Sequence, residues 1–177
     1  MHRDKRISRV VGVALTAAIA LALGACASPA PPPVPAPGED RVVEERVRAP
    51  SGGDSQELQV FGVRNAAVVA LGRQAMEAEE TGNLERAEML LERALRIDGR
   101  DPAILQQMAE VQLARGQLGQ AGSFAQRSFE LGPQVGEICQ RSLRTLIVVH
   151  ERSGEWERVR KAREGLDGCR VAPPERF

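Results

Sequence analysis

From Asn65 onward apolar residues recur at spacings of three and four, the period of a helix that buries one face. Asn65 is placed to cap a helix reaching about Glu80, with Val68, Leu71, Ala75 and Ala78 on one side. Thr81-Gly82-Asn83 interrupts the pattern, and Leu84 to Ile97 resumes it through Ala87, Leu90, Leu91 and Ala94. A second break at 98–101 ends in Asp101-Pro102, a cap followed by a first-turn proline. Helices over 102–115 and 118–131 follow, parted by Gly116 and stopped by Gly132-Pro133. No segment alternates in the manner of a strand, so the pattern predicts an all-α domain.

Before the helices the periodicity disappears. Residues 28–38 hold six prolines, which favour extended polyproline II over helix or central strand. Glu39 to Gln56 mixes charge with Pro50, Ser51, Gly52 and Gly53 and offers no room for a core. Residues 26–57 are therefore expected to form a disordered, Pro-rich linker, spanning at most about 90 Å at roughly 3 Å per residue. The first 25 residues have yet another pattern. Arg3, Lys5, Arg6 and Arg9 precede the charge-free run Val10 to Leu23. A positive start, a short apolar core and a small-residue exit describe an export signal; a spanning helix would need roughly 20 apolar residues.

The helical part repeats itself. Gly82 and Gly116 are 34 residues apart, and at that offset Leu84 falls on Leu118, Ala87 on Ala121, Leu95 on Phe129 and Ile97 on Leu131. Ala75 and Ala109 supply small residues where antiparallel helices approach closely. The glycine turn, the alanine after it, the Ala94-Leu95 pair and the closing Gly132-Pro133 resemble the tetratricopeptide repeat, a 34-residue helix–turn–helix unit. Departures from that pattern are Gly99 in place of the closing proline, and Leu71 and Leu105 where the family often has Trp. A degenerate third unit is expected around Gly154, with Leu143, Leu146 and Ile147 on its first helix. Trp156 then stands where Leu84 and Leu118 stood, and Val159 replaces the alanine. Charges on the remaining faces of Glu155 to Asp167 suit the polar outside of a terminal repeat. The resemblance implies a short solenoid of three units over 58–169, followed by a tail at 170–177.

Leu23-Gly24-Ala25-Cys26 resembles the lipobox of bacterial lipoproteins. By that resemblance Cys26 becomes the lipidated first residue, and several acyl chains hold the chain stably on a bilayer. Ala27 stands where lipoproteins kept in the inner membrane often carry Asp, so the outer membrane is favoured, with the domain facing the periplasm. The other reading is a plain cleavage site, Ala25-Cys26-Ala27, releasing a soluble protein. The linker is then either a spacer toward the cell-wall layer or a passive leader.

Charge and composition narrow the function. The leader holds four of the chain's 24 basic residues and one of its 24 acids, leaving 20 basic against 23 acidic side chains. No basic excess remains to neutralise phosphates, so nucleic acid is not an expected partner. With no Tyr, one Trp and four Phe, there is little to build a stacking platform. His150 is the one histidine beyond the leader, and neither a zinc-type cluster nor a Ser–His pair can be assembled, so no enzyme, metal or cofactor is expected. Gly116-x-x-Gly119-x-x-Gly122 follows a helix rather than a strand, which removes a dinucleotide reading. Setting Cys26 aside, Cys139 and Cys169 are an even pair at the neighbouring ends of an antiparallel hairpin. A disulfide there would close about 30 residues and be worth roughly 3 kcal/mol; a redox role lacks the Cys-x-x-Cys motif.

What remains is a surface. In the repeat register the first helices line a concave groove with Met76, Glu79 and Glu80 from unit one, Gln106, Glu110 and Leu113 from unit two, and Arg141, Arg144, Val148 and Glu151 from unit three. An acidic end opposite a basic end would orient an extended or helical peptide, and Arg141 and Arg144 are expected to be reversible to Glu without loss of fold. The chain resembles repeat-containing outer-membrane lipoproteins that act as adaptors for peptidoglycan synthases or hydrolases. The alternative is a pilotin-like assembly factor for pilus or secretin components.

Overall fold

Three helical hairpins, stacked in chain order, make up most of the computed structural model, which describes residues 42–48 and 64–170. The leader, the lipidation residue Cys26 and the tail beyond Arg170 lie outside the described residues, and the linker is described only at 42–48. Helices α1 (Ala66–Glu80) and α2 (Leu84–Ile97) form the first hairpin, α3 (Pro102–Ala114) and α4 (Leu118–Leu131) the second, α5 (Gly136–Arg152) and α6 (Trp156–Gly168) the third. No strand occurs among the described residues.

The helix starts are dictated locally. The side chain of Asn65 accepts from the Ala67 amide, Asn83 from that of Arg86, and Asp101 from those of Ala103 and Ile104, with Pro102 at the first turn. Asp101 also receives a two-pronged bond from Arg64, at 2.7 and 3.1 Å, tying the chain before α1 to the start of α3. The turns are just as regular. Gly82, Gly116 and Gly154 all have φ near +72°. In each turn the following amide bonds five residues back, Asn83 to Ala78, Gln117 to Gln112 and Glu155 to His150, all at 2.8 Å. This is the Schellman closure, and its left-handed residue is costly for anything with a Cβ. The 38-residue interval from Gly116 to Gly154 is thus absorbed before the turn, in the 17-residue α5.

Hairpins pack in series: α3 touches α1, and α5 touches α3, so α1, α3 and α5 share the inner side of the stack. Close approach requires small residues. Ala75, Ala87, Ala109 and Ala121 have no exposed surface, and a Cβ added at Gly72 would lie 2.8 Å from Cδ1 of Ile104. Replacing Ala121 by Leu should therefore overpack the α4 seam and cost about 1–3 kcal/mol, read as a lower midpoint in urea unfolding. An unchanged midpoint would contradict the packing.

Two expectations are corrected. Trp156 does not pack as Leu84 and Leu118 do but is 66 % exposed, because no further hairpin among the described residues follows α6 to cover it. Part of the expected linker is also ordered and helical. Val43–Arg48 forms a π-helical turn with Val43 and Val47 buried, packed on α3 and α5. It escapes a period-based reading because six residues are too few to show one.

Candidate protein-binding groove

The inner face is built from the second halves of α1, α3 and α5, where a carboxylate recurs near each turn: Glu79, Glu110 and Glu151. Helix register brings them to one side, and burial then decides their chemistry. Glu110 has no exposed surface. Arg141 meets it with both forks, Nε to Oε1 at 2.8 Å and Nη2 to Oε2 at 2.6 Å. Arg48, from the π-helical turn, adds Nε to Oε2 at 2.7 Å and bridges with its Nη2 to Glu79. Gln106 donates from Nε2 to Glu110 and to the Thr145 hydroxyl, both at 2.9 Å. The Oε1 of Gln106 is buried without a hydrogen-bond partner. Gln107 donates to Glu79 at 2.8 Å and to the Gly72 carbonyl at 3.1 Å.

The ten predicted groove residues therefore divide. Leu113 and Val148 form an apolar floor with Ala114, Ala121 and Val149, and Val43 and Val47 are inserted into it. Burying two valines stabilises the contact by roughly 1.5–3 kcal/mol each before ordering costs. Arg144 donates to the Val47 carbonyl at 3.2 Å and to Gln140 at 3.0 Å. Glu151 is bound by Arg46 on one oxygen and by Arg163 at 2.7 Å on the other. Met76 and Glu80 stay exposed, Met76 at 47 %. The expected separation into an acidic and a basic end does not survive folding, since Arg141 spends its charge on Glu110 and Glu137. Nor is Arg141 a neutral place for reversal. A carboxylate there would face the buried Glu110 at hydrogen-bond range.

Residues 43–48, with Arg46 and Arg48, are the part of the site missed by the sequence reading. The available signal was the Val43/Val47 pair beside two arginines, masked by surrounding prolines and glycines.

Desolvation works to raise the Glu110 carboxyl, but Arg141 and Arg48 overcome it and hold the group below the usual carboxylate range. Glu151 is likewise held down, first by the hydrogen bond from Arg46. Glu79 goes the other way, pushed up by burial despite Arg48. The two lowered groups contribute stability that is complete above the unfolded value of about 4.3 and is lost as pH falls through their native values. Glu79 has the opposite sign, its protonated form being favoured in the fold over a window above about 4.3. Below about 4.3 Glu79 is protonated in both states and only the two lowered groups still change, so the urea midpoint should drop as pH falls from about 4 to about 3. A midpoint rising over that interval would contradict the pairing.

Outside the groove, Cys139 at the start of α5 and Cys169 after α6 are disulfide-bonded, with Cα atoms 5.6 Å apart and both residues buried. The Gly136 amide adds a bond to the Cys169 carbonyl at 2.8 Å, so the ends of the hairpin are joined twice. His150 is engaged through Nδ1 with Glu155 at 2.6 Å. Among the described residues no group of His, Cys, Asp and Glu is arranged to hold a metal ion, and no helix is long and apolar enough to cross a membrane.

No curated protein matches the chain at a significant level. A solved structure, the globular C-terminal domain of P. aeruginosa LpoP, superposes with a TM-score of 0.51 at 27% sequence identity, covering 57% of this chain and 99% of that one. A tetratricopeptide-repeat family model matches residues 78–136, from the end of α1 to the start of α5. With three glycine-closed hairpins stacked in series, the chain contains a helical domain similar to tetratricopeptide-repeat domains.

Proposed function

We propose that this chain is an outer-membrane-anchored periplasmic adaptor whose repeat domain binds and regulates a peptidoglycan synthase or hydrolase. The observation that carries the reading is the inner face of α1, α3 and α5, an apolar floor rimmed by carboxylates that already holds a helical segment. The likeness to the LpoP C-terminal domain supports it, since nearly all of that domain is matched here. Stacked helical repeats bind protein segments along such faces, and the fold alone does not choose the partner. The domain's role is to hold and position a partner, and chemistry is left to that partner. Cys26 anchors the chain through its acyl groups, and residues between it and the repeats span the distance to the cell-wall layer.

The test is in-cell crosslinking of the tagged chain, with mass spectrometry of the captured proteins. A Met76→Glu, Glu80→Arg variant is run beside it, because both positions lie on the inner face yet remain exposed. Capture of a cell-wall synthase or hydrolase, reduced in the variant, is the expected result. Capture of secretin or pilus subunits instead would replace the reading with an assembly role. Cys26→Ser should release the chain from membranes; unchanged partitioning would remove the anchor.

A further inference from the structure

The groove is already filled by the chain's own Val43–Arg48. Its wide turn, closed between residues five apart, lets Val43, Val47 and Arg48 face the same surface. Each of the three meets a matching group. The valines enter the floor around Leu113 and Val148. Arg48 reaches Glu110 and Glu79, carboxylates on two different helices. Arg144 grips the backbone at the Val47 carbonyl, 3.2 Å away, and Arg46 closes the far edge on Glu151. A linker passing by chance would not satisfy an apolar floor, two carboxylates and a main-chain clamp with six residues.

We infer that Val43–Arg48 is a built-in ligand of the groove, and that the external partner is a short helical peptide presenting two aliphatic residues four apart with an arginine directly after the second, which binds by displacing it. This deepens the binding role proposed above and rests on it for the existence of an outside partner. Only residues 49–63 join the segment to the domain, so its local concentration is of roughly millimolar order. An outside peptide must compete with that. If the groove is open in about a tenth of molecules, its apparent affinity is lowered about tenfold. The exported chain would then ignore weak aliphatic segments and respond only to a partner that binds more strongly or at more than one point.

The test uses the full chain and a fluorescent peptide of residues 41–49, followed by anisotropy. The peptide should bind a Val43→Asp, Val47→Asp chain at least tenfold more tightly than the unaltered chain. Arg48→Gln, a milder release, should give a smaller gain. Adding Glu79→Arg to the released chain should abolish binding, and a peptide carrying the Val47→Asp change should not bind. Equal affinity for the unaltered and released chains would overturn displacement. Absence of binding to a released chain that keeps its helical circular dichroism would overturn the ligand itself. A dimer of the unaltered chain that dissolves in the released one would place the segment in a second copy's groove and overturn the internal contact. The peptide result does not depend on which protein is captured in cells. Failed capture with successful peptide binding removes only the cell-wall assignment, and the reverse result moves the partner off the groove.

Discussion

Arg141→Met should lower stability by about 3–5 kcal/mol, enough to consume a large part of what holds a domain of this size together. The reason is the carboxylate it abandons. Glu110 has no exposed surface and takes both forks of Arg141. Breaking a buried pair from one side leaves a charge that water cannot reach. Arg48 would still hold one oxygen, which places the cost toward the lower end where the π-helical turn stays docked. Removing both charges is different. Glu110→Met with Arg141→Met should cost much less than the single arginine change, because apolar replacements leave no buried charge unpaired. The measurement is a double-mutant cycle by urea unfolding. Additive losses would mean that the pair contributes no coupling, and the groove floor would have to be described as packing alone.

Removing the disulfide, by Cys139→Ala with Cys169→Ala, should cost about 2–5 kcal/mol. The bond closes 30 residues, the whole third hairpin. In the chain-entropy account the loss arises in the unfolded ensemble, which regains the freedom of that loop. The hairpin has little to replace it. On α6 only Val159 and Ala162 are buried, and Trp156 points into solvent. Thermal unfolding with and without reductant should therefore separate the α5–α6 hairpin from the rest, the first two hairpins persisting to higher temperature. A single coincident transition, unshifted by reduction, would contradict this.

Much of the fold was legible because its signals are local. A cap such as Asn65 or Asp101 satisfies amides two or three residues away, and a turn glycine is needed wherever φ must reach +72°. These act within a few residues, so helix limits were readable to within about one position. The cysteine pair was legible too, because an antiparallel hairpin brings its own ends together. Helical register placed α1, α3 and α5 with matching faces, since residues one repeat apart recur on the same side of their helices.

Charge disposition in the groove was not legible in the same way. Glu79, Glu110, Arg141 and Glu151 read as groove charges arranged with an acidic end opposite a basic end, whereas their partners come from segments 31, 62 and 105 residues away. Which carboxylate is buried, and which arginine is spent, depends on how closely α1, α3 and α5 approach. The six residues at 43–48 are the sharpest case. A helix that short is marginal in water and carries no period of its own. By itself the sequence determined the helices, the turns, the repeat and the faces, because each follows from interactions inside one hairpin. Only the tertiary structure decided that the linker re-enters the groove as a helical turn, because the apolar floor and paired carboxylates that stabilise it exist only after three hairpins have stacked.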